Sequence, residues 1–168
     1  FFFPRTPMPT TPAVLASLLL CVAACTTQTI PDTPPATRSD MEHITLTDNW
    51  PYPFSSAVRV GNMLYLSGQM GTQLVDGKPV LVTGGIEPET KQTLENIKTI
   101  LAKAGSGMEH VVECKVMMAD MKDWPKMNEI YATYFPGPKP ARSAWGANGL
   151  ALGGHVEITC MATVPNAR

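Results

Sequence analysis

An α+β domain is the expected fold, with six strands forming a sheet and two helices packed on one of its faces. Three observations predict it. Apolar, β-prone runs recur between residues 44 and 164, and two segments carry apolar stripes at helical spacing. Their order is β, β, β, α, β, α, β, β, which is not the regular alternation of a parallel α/β sheet.

Ile44-Thr45-Leu46 reads as a short first strand. Ala57–Val60 and Met63–Ser67 follow as two β-prone runs joined by Gly61-Asn62, a two-residue hairpin connection. Ser67-Gly68-Gln69 closes the second run, and Gly71–Gly85 reads as a long loop with Asp76-Gly77 as an inner turn. Pro88 suits a first helical turn. Thr90, Leu94, Ile97, Leu101 and Ala104 then form the stripe of a helix lying on a sheet, ended by Gly105 as a C′ glycine. Val112, Cys114, Val116 and Met118 alternate with Glu113, Lys115 and Met117, a strand with one face inward. Asp123 is placed to cap the second helix, with Pro125 in its first turn and Met127, Ile130, Tyr131 and Tyr134 along its buried side. Phe135-Pro-Gly-Pro-Lys-Pro140 stops it. Ala141–Ala147 reads as a strand, and His155–Val164 as the last one. In that last strand Val156, Ile158, Cys160, Ala162 and Val164 share one face, and His155, Glu157, Thr159 and Met161 the other.

The first 24 residues read as an export segment rather than as fold. Ala13–Ala24 is an uncharged run of 12 residues, too short for the roughly 20 that span a bilayer and suited to a signal-peptide h-region. It ends in Val22-Ala23-Ala24-Cys25, which resembles the bacterial lipoprotein box, with Cys25 taking the lipid. Residues 25–40 are rich in Thr and Pro with almost nothing apolar, a composition that cannot bury a core and reads as a tether. The folded domain is therefore expected over residues 41–168, in an exported, periplasmic, membrane-anchored lipoprotein.

Charge and cysteine content narrow the function. Formal net charge is −1, and removing Arg5 with the export segment leaves 12 bases against 14 acids, or −2. No basic block remains to track a phosphate backbone, so nucleic acid is not an expected partner. Cys114 and Cys160 read as small buried hydrophobes, a disulfide being the alternative outside the cytoplasm. His43, His110 and His155 show no metal-ligand spacing with them, so no metal site is expected.

Two charged residues stand out. Glu157 interrupts a strand otherwise built of Val, Ile, Cys, Ala and Thr; the bland alternative is a solvent-facing charge on an open sheet face. Arg142 follows a proline-rich loop, where ordinary surface is again the alternative. A further pattern singles them out. Phe54-Ser-Ser-Ala-Val-Arg-Val-Gly-Asn62, Leu66-Ser-Gly-Gln69, Thr93-Leu-Glu-Asn-Ile97, Asp120-Met-Lys-Asp123, Asn128, Pro140-Ala-Arg-Ser143 and Val156-Glu-Ile158 together resemble the reactive intermediate deaminase (RidA/YjgF, or L-PSP) family over about residues 44–164.

The resemblance implies a chorismate-mutase-like architecture with a mixed six-stranded sheet, a homotrimer, and clefts between subunits. It also implies hydrolysis of reactive imines, the tautomers of enamines, to a keto acid and ammonia without metal or organic cofactor. On that pattern Arg142 grips the substrate carboxylate with its flat guanidinium fork. Glu157, expected close to it, positions water or passes a proton to the departing nitrogen. Phe54, Ser67, Gly68, Asn128 and Ala144 would line the pocket. Phe54 stands where classical members have a tyrosine, and Ala144 where they often have a cysteine. Two other readings compete: a binding module that holds small carboxylates without chemistry, and a ribonuclease, which the acidic balance disfavours.

Overall fold

The computed structural model describes residues 41–47 and 52–165. The expectations for the export segment, the tether and Cys25 fall outside them. The elements are β1 (Met41–Ile44), β2 (Ala57–Val60), β3 (Met63–Leu66), β4 (Gln69–Met70), β5 (Thr72–Val75), β6 (Lys78–Leu81), α1 (Ile86–Lys103), β7 (Val111–Met118), α2 (Trp124–Thr133), β8 (Ala141–Gly146) and β9 (Val156–Thr163). The main sheet runs β1-β2-β3-β9-β7-β8, with the short β4 also pairing with β9, while β5 and β6 form a separate hairpin. It is mixed, because β7 and β8 are parallel and β7 and β9 antiparallel. The α+β class is thus observed, and β4 makes this a seven-stranded sheet rather than a six-stranded one.

The core forms where the two periodicities meet. Thr90, Leu94, Ile97 and Leu101 of α1 and Ala104 just past its end are all buried, as are Val156, Ile158, Cys160, Ala162 and Val164 on one face of β9 and beyond its end. Gly105, at φ +73°, ends α1: its N–H bonds the Ala102 carbonyl at 3.1 Å and that of Ser106 the Leu101 carbonyl at 2.8 Å. Those two bonds satisfy carbonyls that a helix end otherwise leaves unmet.

Several local expectations are corrected. The first strand lies at residues 41–44 instead of 44–46. The stretch read as a loop from Gly71 to Gly85 contains the β5–β6 hairpin, turned at Asp76 and Gly77 with φ of 52° and 75°. That double positive φ is the geometry a two-residue hairpin demands. Leu74, Val75 and Val80 stay exposed on it, so no buried period advertised the strands. Val112 does not face inward. A register shift between Val111 and Glu113 against β9 leaves it 45% exposed, as a bulge does when one residue goes unpaired. Asp123 makes no capping hydrogen bond; Asp120 accepts the Lys122 N–H at 2.9 Å instead, opening a 3-10 turn that leads into α2. Along α2, Met127 and Tyr131 are buried, and Ile130 and Tyr134 only partly so.

Cys114 and Cys160 are buried as expected but joined by a disulfide. They are register partners across β7 and β9, with Cα atoms 4.2 Å apart. Antiparallel pairing alone brings such residues close enough to bond.

Candidate active site

Glu157 sits in the middle of the sheet, near one end of β9, between Met117 of β7 and Met70 of β4 as its register partners. Strand alternation points it to the face opposite the helices, between buried Val156 and Ile158. Its carboxylate lies against the backbone of Gly68. A Cβ at Gly68 would come within 2.9 Å of the Glu157 carboxyl carbon, so only glycine leaves this place open. Burial pushes the Glu157 carboxyl above the ordinary glutamate range. Loss of water disfavours the ion, and a poised acid results.

Ser67, immediately before Gly68, is held by two bonds to one segment. Its Oγ donates to the Ser55 carbonyl at 2.7 Å and its N–H to the Ser56 carbonyl at 3.0 Å. A cleft of about 540 Å³ opens beside it, lined by His43, Tyr52, Phe54, Ser55 and Ser67 among others. Phe54 is 47% exposed at this cleft. Tyr52 stacks on it with ring centroids 5.5 Å apart, so a phenol-bearing ring lies beside Phe54 in the same cleft.

Arg142 belongs to a different surface. It is the register partner of Cys114, so it shares the helix-side face of the sheet. Its guanidinium lies 4.7 Å from the Tyr131 ring centroid and 5.8 Å from that of Trp124, both on α2. Flat ring faces attract and orient a flat cation. Trp124, Asn128 and Tyr131 stand four and three residues apart, one stripe of the helix, which sets Asn128 between the two rings. Burial pushes the Tyr131 phenol up to about 12, with the Arg142 charge pulling it down; the ring therefore stays neutral beneath the cation. Ala144, two residues along β8, packs against the core.

The site residues thus fall into two groups on opposite faces of the sheet. Phe54, Ser67, Gly68 and Glu157 form one; Arg142, Asn128 and Ala144 form the other. Arg142 and Glu157 lie two strand spacings apart, or about 9.6 Å, and three ranks apart along β7, or about 10 Å. One chain does not bring them together, so the expected closeness of Glu157 to Arg142 is not met within a single copy.

Trp124 and Tyr131 as the cradle of Arg142 were missed from sequence, where Tyr131 reads as core; their helical stripe with Asn128 was the available signal. Gly68, expected to line the pocket, contributes the space of its missing side chain, which the Glu157 carboxylate occupies. Gly68→Ala should therefore fold, since a carboxylate at the end of a flexible side chain can swing aside. It should displace Glu157 and lower the kcat of the reaction proposed below by about tenfold or more, the usual penalty for a misplaced catalytic group. Initial rates on protein with wild-type unfolding midpoint would check this.

The sequence profile of the family described as Endoribonuclease L-PSP matches residues 49–164. The chain is 44% identical over 110 residues to the 2-iminobutanoate/2-iminopropanoate deaminase of Mus musculus, covering 66% of this chain and 80% of that protein. It is 40% identical over 112 residues to the chloroplastic Reactive Intermediate Deaminase A of Arabidopsis thaliana, covering 67% of this chain and 59% of the length of that relative. Among solved structures, YyfA of Yersinia pestis, of the conserved Rid protein family, superposes with a TM-score of 0.67 at 34% identity, covering 74% of this chain and 99% of that one.

Proposed function

We propose, from the premise that the chain belongs to the Endoribonuclease L-PSP family, that it hydrolyses reactive 2-imino and enamino acids to 2-keto acids and ammonia. The activity named for the mouse relative carries the reaction class. The two groups of residues supply what that reaction needs. The Arg142 fork binds the two carboxylate oxygens of the substrate with parallel, charge-assisted hydrogen bonds. An enamine reaches the imine by taking a proton at carbon; water then adds to the imine carbon. Glu157 accepts a proton from the attacking water and delivers one to nitrogen, and the C–N bond breaks to release ammonia as the carbonyl forms. A half-buried carboxyl with a raised proton affinity suits both halves of that cycle.

The chain works as a homotrimer in this reading, with the Arg142 group of one copy facing the Glu157 group of the next. Two observations support it: the groups lie on opposite faces of one sheet, and the face without helices carries an exposed apolar row. Val58, Tyr65 and Met161 line up across β2, β3 and β9 on that face, with Tyr65 46% exposed and Trp145 of β8 42% exposed. Such a row is covered most readily by another copy of the chain.

Export and lipidation at Cys25 belong to the same proposal. Support comes from the Ala13–Cys25 pattern and from the Cys114–Cys160 disulfide, a bond that persists in oxidising compartments. Full-length protein should sediment with membranes, and Cys25→Ser should release it or leave it unprocessed. A wholly cytoplasmic, soluble protein would remove both claims.

The reaction is tested by generating a short-lived 2-imino acid enzymatically and following ammonia. Acceleration by the purified domain supports it. Release at the buffer rate, with keto-acid binding retained, would leave a binding module. Cleavage of RNA instead would point to the activity for which the family profile is described.

A further inference from the structure

Outside these two groups, one buried carboxylate has no role yet. Glu89, in the first turn of α1, is 3% exposed. A charge taken out of water needs polar partners, and Glu89 has two from a single residue. Its Oε2 accepts the backbone N–H of His155 at 2.7 Å, and its Oε1 lies 2.7 Å from the ring Nδ1. With a carboxylate as acceptor, Nδ1 carries the hydrogen, so the imidazole is held in one tautomer and one orientation.

The surrounding packing leaves little slack. Gly71, just past β4, lies against the backbone of Glu89, where a Cβ would come within 2.6 Å of the Glu89 Cα. Two turns along α1, Asn96 donates to the carbonyls of Met70 and Thr72 at 3.0 and 2.9 Å. Met70 is the β4 register partner of Glu157. The helix therefore fixes the strand beside Glu157 through Asn96, and the start of β9 itself through Glu89. The ladder continues to that point, since the Ala119 N–H donates to the His155 carbonyl at 3.0 Å. His155 lies two residues before Glu157, and nothing but Val156 separates them in the chain.

We propose that Glu89 is a positioning residue for the deamination: by holding the backbone and ring of His155 at once, it fixes where β9 begins and so how deeply Glu157 lies over Gly68. This rests on the acid/base reading of Glu157 given above. Glu89 touches no reacting atom, and its effect passes entirely through the Glu157 carboxylate.

The test needs two readouts. In Glu89→Ala, kcat on an imino acid should fall about 10- to 100-fold, while keto-acid affinity, which depends on Arg142, should change less than about twofold. Glu89→Gln keeps an oxygen for the backbone N–H and offers an amide to the ring, and should retain most of the rate. Added to Glu157→Gln, Glu89→Ala should cost nothing further, because the two act as one unit. The second readout is independent of turnover. Carbon-13 NMR titration of the Glu157 carboxyl should move towards the ordinary glutamate range in Glu89→Ala and stay in place in Glu89→Gln. His155→Ala leaves the backbone bond intact and should give a smaller change of the same sign; it replaces Glu89→Ala if that variant does not fold. Unchanged kcat and unchanged Glu157 titration in these variants would overturn the positioning role. A moved titration with wild-type kcat would overturn it as a device for the deamination, and with it the acid/base role of Glu157, leaving Glu89 only as what places that side chain.

Discussion

Glu157→Gln should lower imino-acid turnover by about 10² or more while leaving keto-acid affinity near that of the wild type. The amide keeps the shape of the side chain and its place over Gly68, and loses only the ability to exchange a proton. The same substitution should raise stability. Burial holds the Glu157 proton more tightly in the folded chain than in the unfolded one. The unfolding free energy of the wild type therefore falls as pH rises from the ordinary glutamate value towards the raised one, and the fall persists above it. An amide cannot titrate, so the variant should gain on the wild type across that window and remain ahead at neutral pH. Denaturant unfolding at several pH values checks the sign, and stopped assays of ammonia check the rate. Wild-type turnover in Glu157→Gln would make the glutamate a structural residue. A more stable but inactive variant is the signature of a group kept for chemistry at some cost to the fold.

Arg142→Ala should weaken binding of a small 2-keto acid such as pyruvate by at least about tenfold. A charge-assisted hydrogen bond contributes about 1.5–3 kcal/mol, a two-point grip somewhat more, and 1.4 kcal/mol is one decade. Arg142→Lys should recover part of the loss, since an ammonium keeps the charge but not the planar fork. It also loses the fit against the faces of Tyr131 and Trp124 that orients the guanidinium. Calorimetric titration distinguishes this from an ordinary surface arginine, for which neither substitution would alter affinity.

What was legible in the sequence is local. The stripe from Thr90 to Ala104 and the alternation from Val156 to Val164 follow from one face of each element meeting the core, and both are buried as read. Gly105 ends α1 for the conformational reason expected of it. The β5–β6 hairpin hid because its strands bury no face, and Val112 misled because a bulge breaks a period without changing composition. The identity of Arg142 and Glu157 as the residues of interest came from resemblance in motif order and spacing. Their placement on opposite faces came only from strand register, which pairs residues far apart in the chain. The same holds for Cys114 with Cys160, 46 residues apart, and for Glu89 with His155, 66 apart. Nothing within reach of a local window connects such partners.

The central claim is that the imine is deaminated at a site completed by two copies of the chain, and mixing two inactive variants tests it most directly. Arg142→Ala and Glu157→Gln, each trimeric and each inactive alone, are denatured together in equal amounts, refolded, and assayed for ammonia release from the imino acid. If each site draws Arg142 from one copy and Glu157 from the next, random assembly restores about a quarter of the wild-type sites, by the symmetry of a closed ring. The account predicts activity near that fraction, absent when either variant is refolded alone. A mixture as inactive as its components, with mixed trimers demonstrated by mass, would contradict it.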